Sequence, residues 1–124
     1  MSELTQKEFE AVLALNADYR QAMFLRVAKE QQGFYILIDG EGPVILDDTE
    51  EDENGTLYSV LPVWSHAELA EAYAKSASID AKPQLVSVKA WNESWVESFK
   101  DQKLLVGFMP VEDKDFAVDD PVAL

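Results

Sequence analysis

The chain of 124 residues carries 24 acidic and 10 basic residues, a net charge of −14, with 48% hydrophobic residues and no cysteine. That length and apolar content predict one packed domain that folds without disulfide or metal, and the missing thiols remove cysteine chemistry altogether. A surface of this sign repels phosphate backbones and anionic headgroups, so neither nucleic acid nor membrane is an expected partner.

Thr5-Gln6-Lys7-Glu8 has the spacing of a capping box, and Phe9, Val12 and Leu13 follow on one face, which predicts a short helix to about Leu15. Asn16 is placed to cap a second helix in which Tyr19, Met23 and Val27 recur every four residues, with Phe24 and Ala28 widening the stripe and Gly33 ending it. Both stripes are expected to face the core. Phe34 to Ile38 reads as a strand, Asp39-Gly40-Glu41-Gly42 as a turn, and Pro43 to Leu46 as the returning strand of an antiparallel hairpin.

The run Asp47-Asp48-Thr49-Glu50-Glu51-Asp52-Glu53 is expected to loop out as far as Asn54-Gly55, with Leu57 to Val63 forming a third strand. Ser65 is placed to cap a helix from His66 to about Lys75, carrying Leu69, Ala70 and Tyr73 at helical spacing. After a connection from Ser76 to Pro83, Leu85 to Val88 alternates as a strand. Trp91, Trp95 and Phe99 mark a helix with three large aromatics on one face, expected to pack on the sheet. Leu104 to Met109 reads as a central strand, Phe116 to Val118 as a short edge strand, and a last turn is expected after Pro121.

These elements predict an α+β fold, a largely antiparallel sheet covered by helices in a single compact domain over residues 1–124. The N-terminal helices occupy about 5–32, and the sheet with its covering helices about 34–120. The first residues, Met1 to Thr5, lack the basic and apolar regions of a signal peptide, and the apolar runs are too short to span a bilayer. A cytoplasmic protein is the expectation.

Few residues are candidates for chemistry. His66 is the only histidine, so any imidazole catalysis must use it. At a helix start the dipole disfavours imidazolium and a neutral ring is expected. One histidine is too few for the commoner zinc sites, and no serine sits in a nucleophile elbow. Glu50-x-Asp52-x-Asn54-Gly55 resembles the first half of a calcium loop, but Leu61 stands where the twelfth-position carboxylate belongs. No phosphate-binding glycine motif, zinc-protease motif or paired-cysteine motif is present, so no cofactor and no metal are expected. The charge distribution is more informative than its total. No Lys or Arg lies between Lys29 and Lys75, which suits either a solvated, self-repelling loop or a docking surface for a basic protein partner.

Leu61-Pro62-Val63-Trp64-Ser65-His66-Ala67-Glu68-Leu69-Ala70 resembles the signature of a family of small bacterial proteins called domain of unknown function 2750. Phe24 to Ala28 resembles that family's N-terminal helix, and Leu37 to Gly42 its acidic hairpin turn. Val86-x-Val88-x-x-Trp91-x-x-x-Trp95-x-x-x-Phe99 with Val106-x-Phe108-x-Pro110 resembles its closing strand, helix and strand. The resemblance covers roughly residues 16–120; Tyr35-Ile36 and the acidic segment after Pro110 depart from the usual pattern. It implies a bacterial, cytoplasmic α+β protein and lends no activity.

The resulting expectation is a non-enzymatic binding or regulatory module, with Trp64, His66 and Glu68 as candidate binding residues and no catalytic residue. Two alternatives stand beside it. One is a small enzyme with an unrecognised site near His66, and the other an acidic antidote or nucleic-acid mimic.

Overall fold

A computed structural model describes residues 5–51, 57–101, 104–111 and 116–119. The fold is α+β, with two small, mostly antiparallel sheets in place of the one expected. Helix α1 spans Gln6–Ala14 and is opened by the capping box: the Thr5 hydroxyl accepts from the Glu8 N–H (3.1 Å) and the Glu8 carboxylate from the Thr5 N–H (3.3 Å). Helix α2, Ala17–Gln31, is capped by Asn16, whose Oδ1 accepts from the Tyr19 N–H at 3.0 Å.

The buried stripe of α2 is Arg20, Phe24 and Ala28: Phe24 and Ala28 face the core as expected, Met23 and Val27 lie half-buried at its flank, and Arg20 takes the place expected of Tyr19. Tyr19 is 65% exposed. The two series are adjacent on the helix, and tertiary packing turns it by one position so that the arginine stem is covered and Tyr19 is not. Nor does Gly33 cap the helix. Gln32 takes the left-handed conformation (φ 57°), and Gly33 is the first residue of the next strand. A Cβ at Gly33 would stand 3.1 Å from Leu85 Cδ1 and 3.2 Å from the Val86 carbonyl, so its role is close strand approach.

Strand β1 (Gly33–Asp39) is central in the first sheet, between β2 (Gly42–Pro43) and β5 (Lys82–Ser87), both antiparallel to it. Burial on both faces accounts for its unbroken apolar run. The hairpin is shorter than expected, because only Gly42 and Pro43 pair back onto Asp39 and Ile38. The chain then crosses to the second sheet. There Leu46–Glu51 forms β3, antiparallel to β4 (Leu57–Val63), so the first part of the acidic run is a strand and not a loop. Pairing with an apolar neighbour outweighs the poor strand propensity of Asp and Glu, and the register shifts between Asp47 and Glu51. Residues 52–56, which complete the run, the calcium-like loop and the Asn54-Gly55 turn, lie outside the described residues, as does the turn expected after Pro121.

Helix α3 spans Ala67–Ser76. Strand β5 begins at Lys82, three residues before its expected start, and Val88, expected in that strand, opens the final helix instead. This helix runs continuously as α4 (Val88–Ala90), a π-turn (Trp91–Trp95) and α5 (Val96–Asp101). Strand β6 (Leu104–Phe108) is central in the second sheet, as expected, parallel to β4 and antiparallel to the edge strand β7 (Ala117–Asp119). The parallel pair is possible because α3, β5 and the final helix supply the long crossover. Gly107 is required there: a Cβ would stand 2.6 Å from the Phe116 ring and 2.8 Å from Val60 Cγ1.

An aromatic chain unites the layers. Phe24 meets Phe34 and Phe108, each with ring centroids at 5.4 Å; Phe34 meets Trp91 at 5.4 Å, and Trp91 meets Phe99 at 5.7 Å. As the helical spacing suggested, Trp91 and Phe99 are buried, with Trp95 half-buried beside them. Edge-on contacts of this kind add about 0.5–1.5 kcal/mol each beyond area burial.

Candidate functional site

The Pro-Val-Trp-Ser-His segment lies where the two sheets meet. Strand β4 ends at Val63, and Trp64 then pairs with Tyr35 of β1: the Tyr35 N–H donates to the Trp64 carbonyl (2.8 Å) and the Trp64 N–H to the Tyr35 carbonyl (2.9 Å). Trp64 is fully buried; its indole N–H donates to the Pro110 carbonyl at 2.9 Å and its ring lies 5.4 Å from that of Tyr73. Met109, in a left-handed conformation (φ 53°), brings the segment after β6 against the same corner, donating its N–H to the Val63 carbonyl at 2.8 Å.

Ser65 is 0% exposed. Its N–H approaches Met109 Sδ at 3.1 Å, and its carbonyl accepts from Gln31 Nε2 at 2.6 Å, an amide that also reaches the Gly33 carbonyl at 3.1 Å. One glutamine thus ties the end of α2 to both sheets. Buried backbone groups need such partners, since an unmade bond costs about 1–3 kcal/mol.

His66, not Ser65, takes the cap position of α3, and makes no side-chain cap bond. Its Nδ1 lies 2.9 Å from the Ser65 hydroxyl. The ring is 8% exposed, and burial lowers its pKa from the ordinary 6.5, opposed by the carboxylates of Glu68 and Glu8. The neutral ring expected from the helix dipole is thus favoured, with desolvation as the main cause. Glu68, in the first turn of α3, has a buried Oε2 without a hydrogen-bond partner. Its charge also helps raise the pKa of Tyr35, after burial as the larger cause.

The structure therefore brings Trp64, His66 and Glu68 to one corner and adds Tyr35, Ser65, Gln31 and Met109. Ser65 was the only added residue with a sequence signal, its adjacency to the lone histidine; the others arrive from distant segments. A serine hydroxyl beside an imidazole has the composition of a nucleophile and its base. Here the hydroxyl is sealed from solvent, so in this conformation the pair orients the ring and offers no path for a substrate. Among the described residues no group of three metal-ligating side chains occurs, and no helix is long and apolar enough to cross a membrane.

These features define a small α+β protein with its signature motif packed into a junction between sheets. The family of proteins of unknown function DUF2750 matches residues 21–124, and the chain belongs to that family. The matched region includes every segment on which the resemblance was read. No curated protein and no solved structure matches the chain.

Proposed function

We propose that this protein is a non-enzymatic binding module for a basic protein partner, engaged along the acidic edge strand β3. The observation that carries this reading is the placement of charge. The stretch without Lys or Arg, from Glu30 to Ala74, includes Asp47, Asp48, Glu50 and Glu51, and all four lie on a strand that, among the described residues, pairs in its sheet with β4 alone. An edge strand offers unpaired backbone groups, and its carboxylates would repel a second copy of this chain while attracting lysine and arginine. A basic segment in extended form satisfies both, by strand addition with charge pairing. In this reading Trp64, His66 and Glu68 support binding indirectly, by anchoring the C-terminal end of β4, the strand whose first half pairs with β3.

The test is titration of the full chain with a lysine-rich peptide at low and high salt, beside a variant carrying Asp47→Asn, Asp48→Asn, Glu50→Gln and Glu51→Gln. Binding that weakens with salt and drops at least tenfold in the variant is the expected result. Equal binding by the variant, or affinity indifferent to salt, would remove β3 from the reading.

A further inference from the structure

The strands at the sheet edges differ in length and charge. Strand β3 is acidic, β2 pairs over only Gly42 and Pro43, and β7 is short and ends on Asp119. Strand β5 is the long edge strand without an acid, and no Asp or Glu lies from Ala81 to Asn92.

Which groups of β5 face outward follows from β1. The N–H and carbonyl of Tyr35 both bond Trp64, and the Leu37 carbonyl accepts from the Val44 N–H at 2.8 Å, so the odd-numbered residues of β1 turn away from β5. In an antiparallel ladder the bonded side alternates along the strand. Phe34, Ile36 and Ile38 therefore bond Val86, Gln84 and Lys82. The Val88 N–H, which donates to the Gln32 carbonyl at 3.1 Å, continues the same series. Pro83, Leu85 and Ser87 are left facing out. A proline is tolerated at position 83 because no ladder bond needs its missing N–H. Among the described residues, the outward N–H groups of Leu85 and Ser87 and the Pro83 carbonyl meet no partner. The Leu85 carbonyl meets only the side-chain amide of its neighbour, Gln84 Nε2 at 3.1 Å. Leu85 is 45% exposed and stands opposite the half-buried Tyr35.

From this arrangement we propose that β5 pairs with β5 of a second copy of this chain, antiparallel about a two-fold axis at Leu85, so that the two β2-β1-β5 sheets become one. In that register the two Leu85 residues exchange N–H and carbonyl bonds, displacing the Gln84 amide. Each Ser87 N–H meets the Pro83 carbonyl of the partner subunit, so no proline nitrogen is asked to donate. The leucines meet on the axis, and the two Lys82 side chains stand about 20 Å apart along the seam. Charge selects this occupant. A net charge of −14 opposes self-association through any acidic surface, and β5 lets two copies approach without setting carboxylate against carboxylate. A charged partner would gain little from a strand whose one charge is Lys82. The seam does not involve β3. It is narrow beside the about 1,200–2,000 Å² buried in stable interfaces, so the dimer is weak.

Sedimentation of the full chain from about 10 μM to about 1 mM tests this, with a dimer Kd of about 0.1 mM expected. Leu85→Lys sets two ammonium groups together on the axis and weakens the dimer at least tenfold; the side chain is exposed, and circular dichroism checks that the variant is folded. Hydrogen exchange on the unaltered chain reads the seam directly. The Leu85 and Ser87 amides should slow at least threefold across that concentration range, while the Gln84 and Val86 amides are protected throughout. A chain that stays monomeric at the highest concentration overturns the proposal. So does a dimer that Leu85→Lys leaves intact, or one in which the Leu85 amide exchanges at its monomer rate.

Discussion

The corner at Trp64–His66 follows the C-terminal end of β4, whereas the acidic strand β3 pairs with its first half, and the two regions differ in how their backbone is held. At the corner, the backbone of Trp64, the carbonyl and N–H of Ser65 and the indole N–H all have partners within the protein. Strand β3 carries four acidic residues in its sequence, has an irregular register, and pairs among the described residues with β4 alone. The backbone around Trp64 and Ser65 is thus held by bonds within the protein, while four of the acidic residues lie on a strand with an irregular register. A signature motif need not mark a reactive site; it can mark the place where packing tolerates fewest alternatives.

The sharpest way to break that contrast is mutation on each side. Trp64→Ala removes a fully buried ring and strands the Pro110 carbonyl, and is expected to cost about 3–5 kcal/mol in urea denaturation. Trp64→Phe retains most of the packing and loses the hydrogen bond, for about 1–3 kcal/mol. The fourfold neutralised β3 variant should change stability by only about 0.5 kcal/mol or gain slightly. A corner variant as mild as the strand variant would show that the junction is not what holds the sheets together.

The same contrast explains what could be read from sequence. The capping box, the α3 helix, the aromatic helix and the central position of β6 were legible because each follows from local spacing or a continuous apolar run. The face of α2 was legible in part: Phe24 and Ala28 were read from their spacing, but Tyr19 and Arg20 stand side by side and only packing chooses between them. Strand β3 was hidden because Asp and Glu disfavour strands, so their run read as a loop. At the site, the Trp64–Ser65–His66–Glu68 cluster was visible as a motif. Its closure by Gln31 and Met109 depends on contacts across 34 and 44 residues of sequence, which no local pattern encodes.

A smaller effect sharpens the account of the corner. Because burial holds His66 below its ordinary 6.5, the unfolded chain binds a proton more readily than the folded one between the two values. The histidine's contribution to stability is thus complete above about 6.5 and is lost as pH falls through the lower, folded value. Glu68 opposes the shift, so Glu68→Gln should lower the folded pKa further in an NMR titration of this single imidazole, and His66→Asn should erase the limb. A ring that titrates at 6.5 or above would mean that it is open to water or dominated by Glu68, contrary to the closed corner.

The smallest effect concerns the whole charge. At −14 the folded chain repels itself more than the expanded one, because folding brings like charges closer. Raising salt from 0.01 to 0.15 M shortens the screening length from about 30 Å to about 8 Å. The repulsion then fades, while the buried aromatic chain is untouched, so the melting temperature should rise. A gain of about 1 kcal/mol corresponds to roughly 4 °C in a domain of this size. The β3 variant, with four carboxylates fewer, should rise less, because part of its repulsion has already been removed. If both rise equally, those four charges are too far from the rest to matter to stability; if neither rises, the charge is already dispersed beyond a screening length, and β3 loses the crowding that makes it a docking strand.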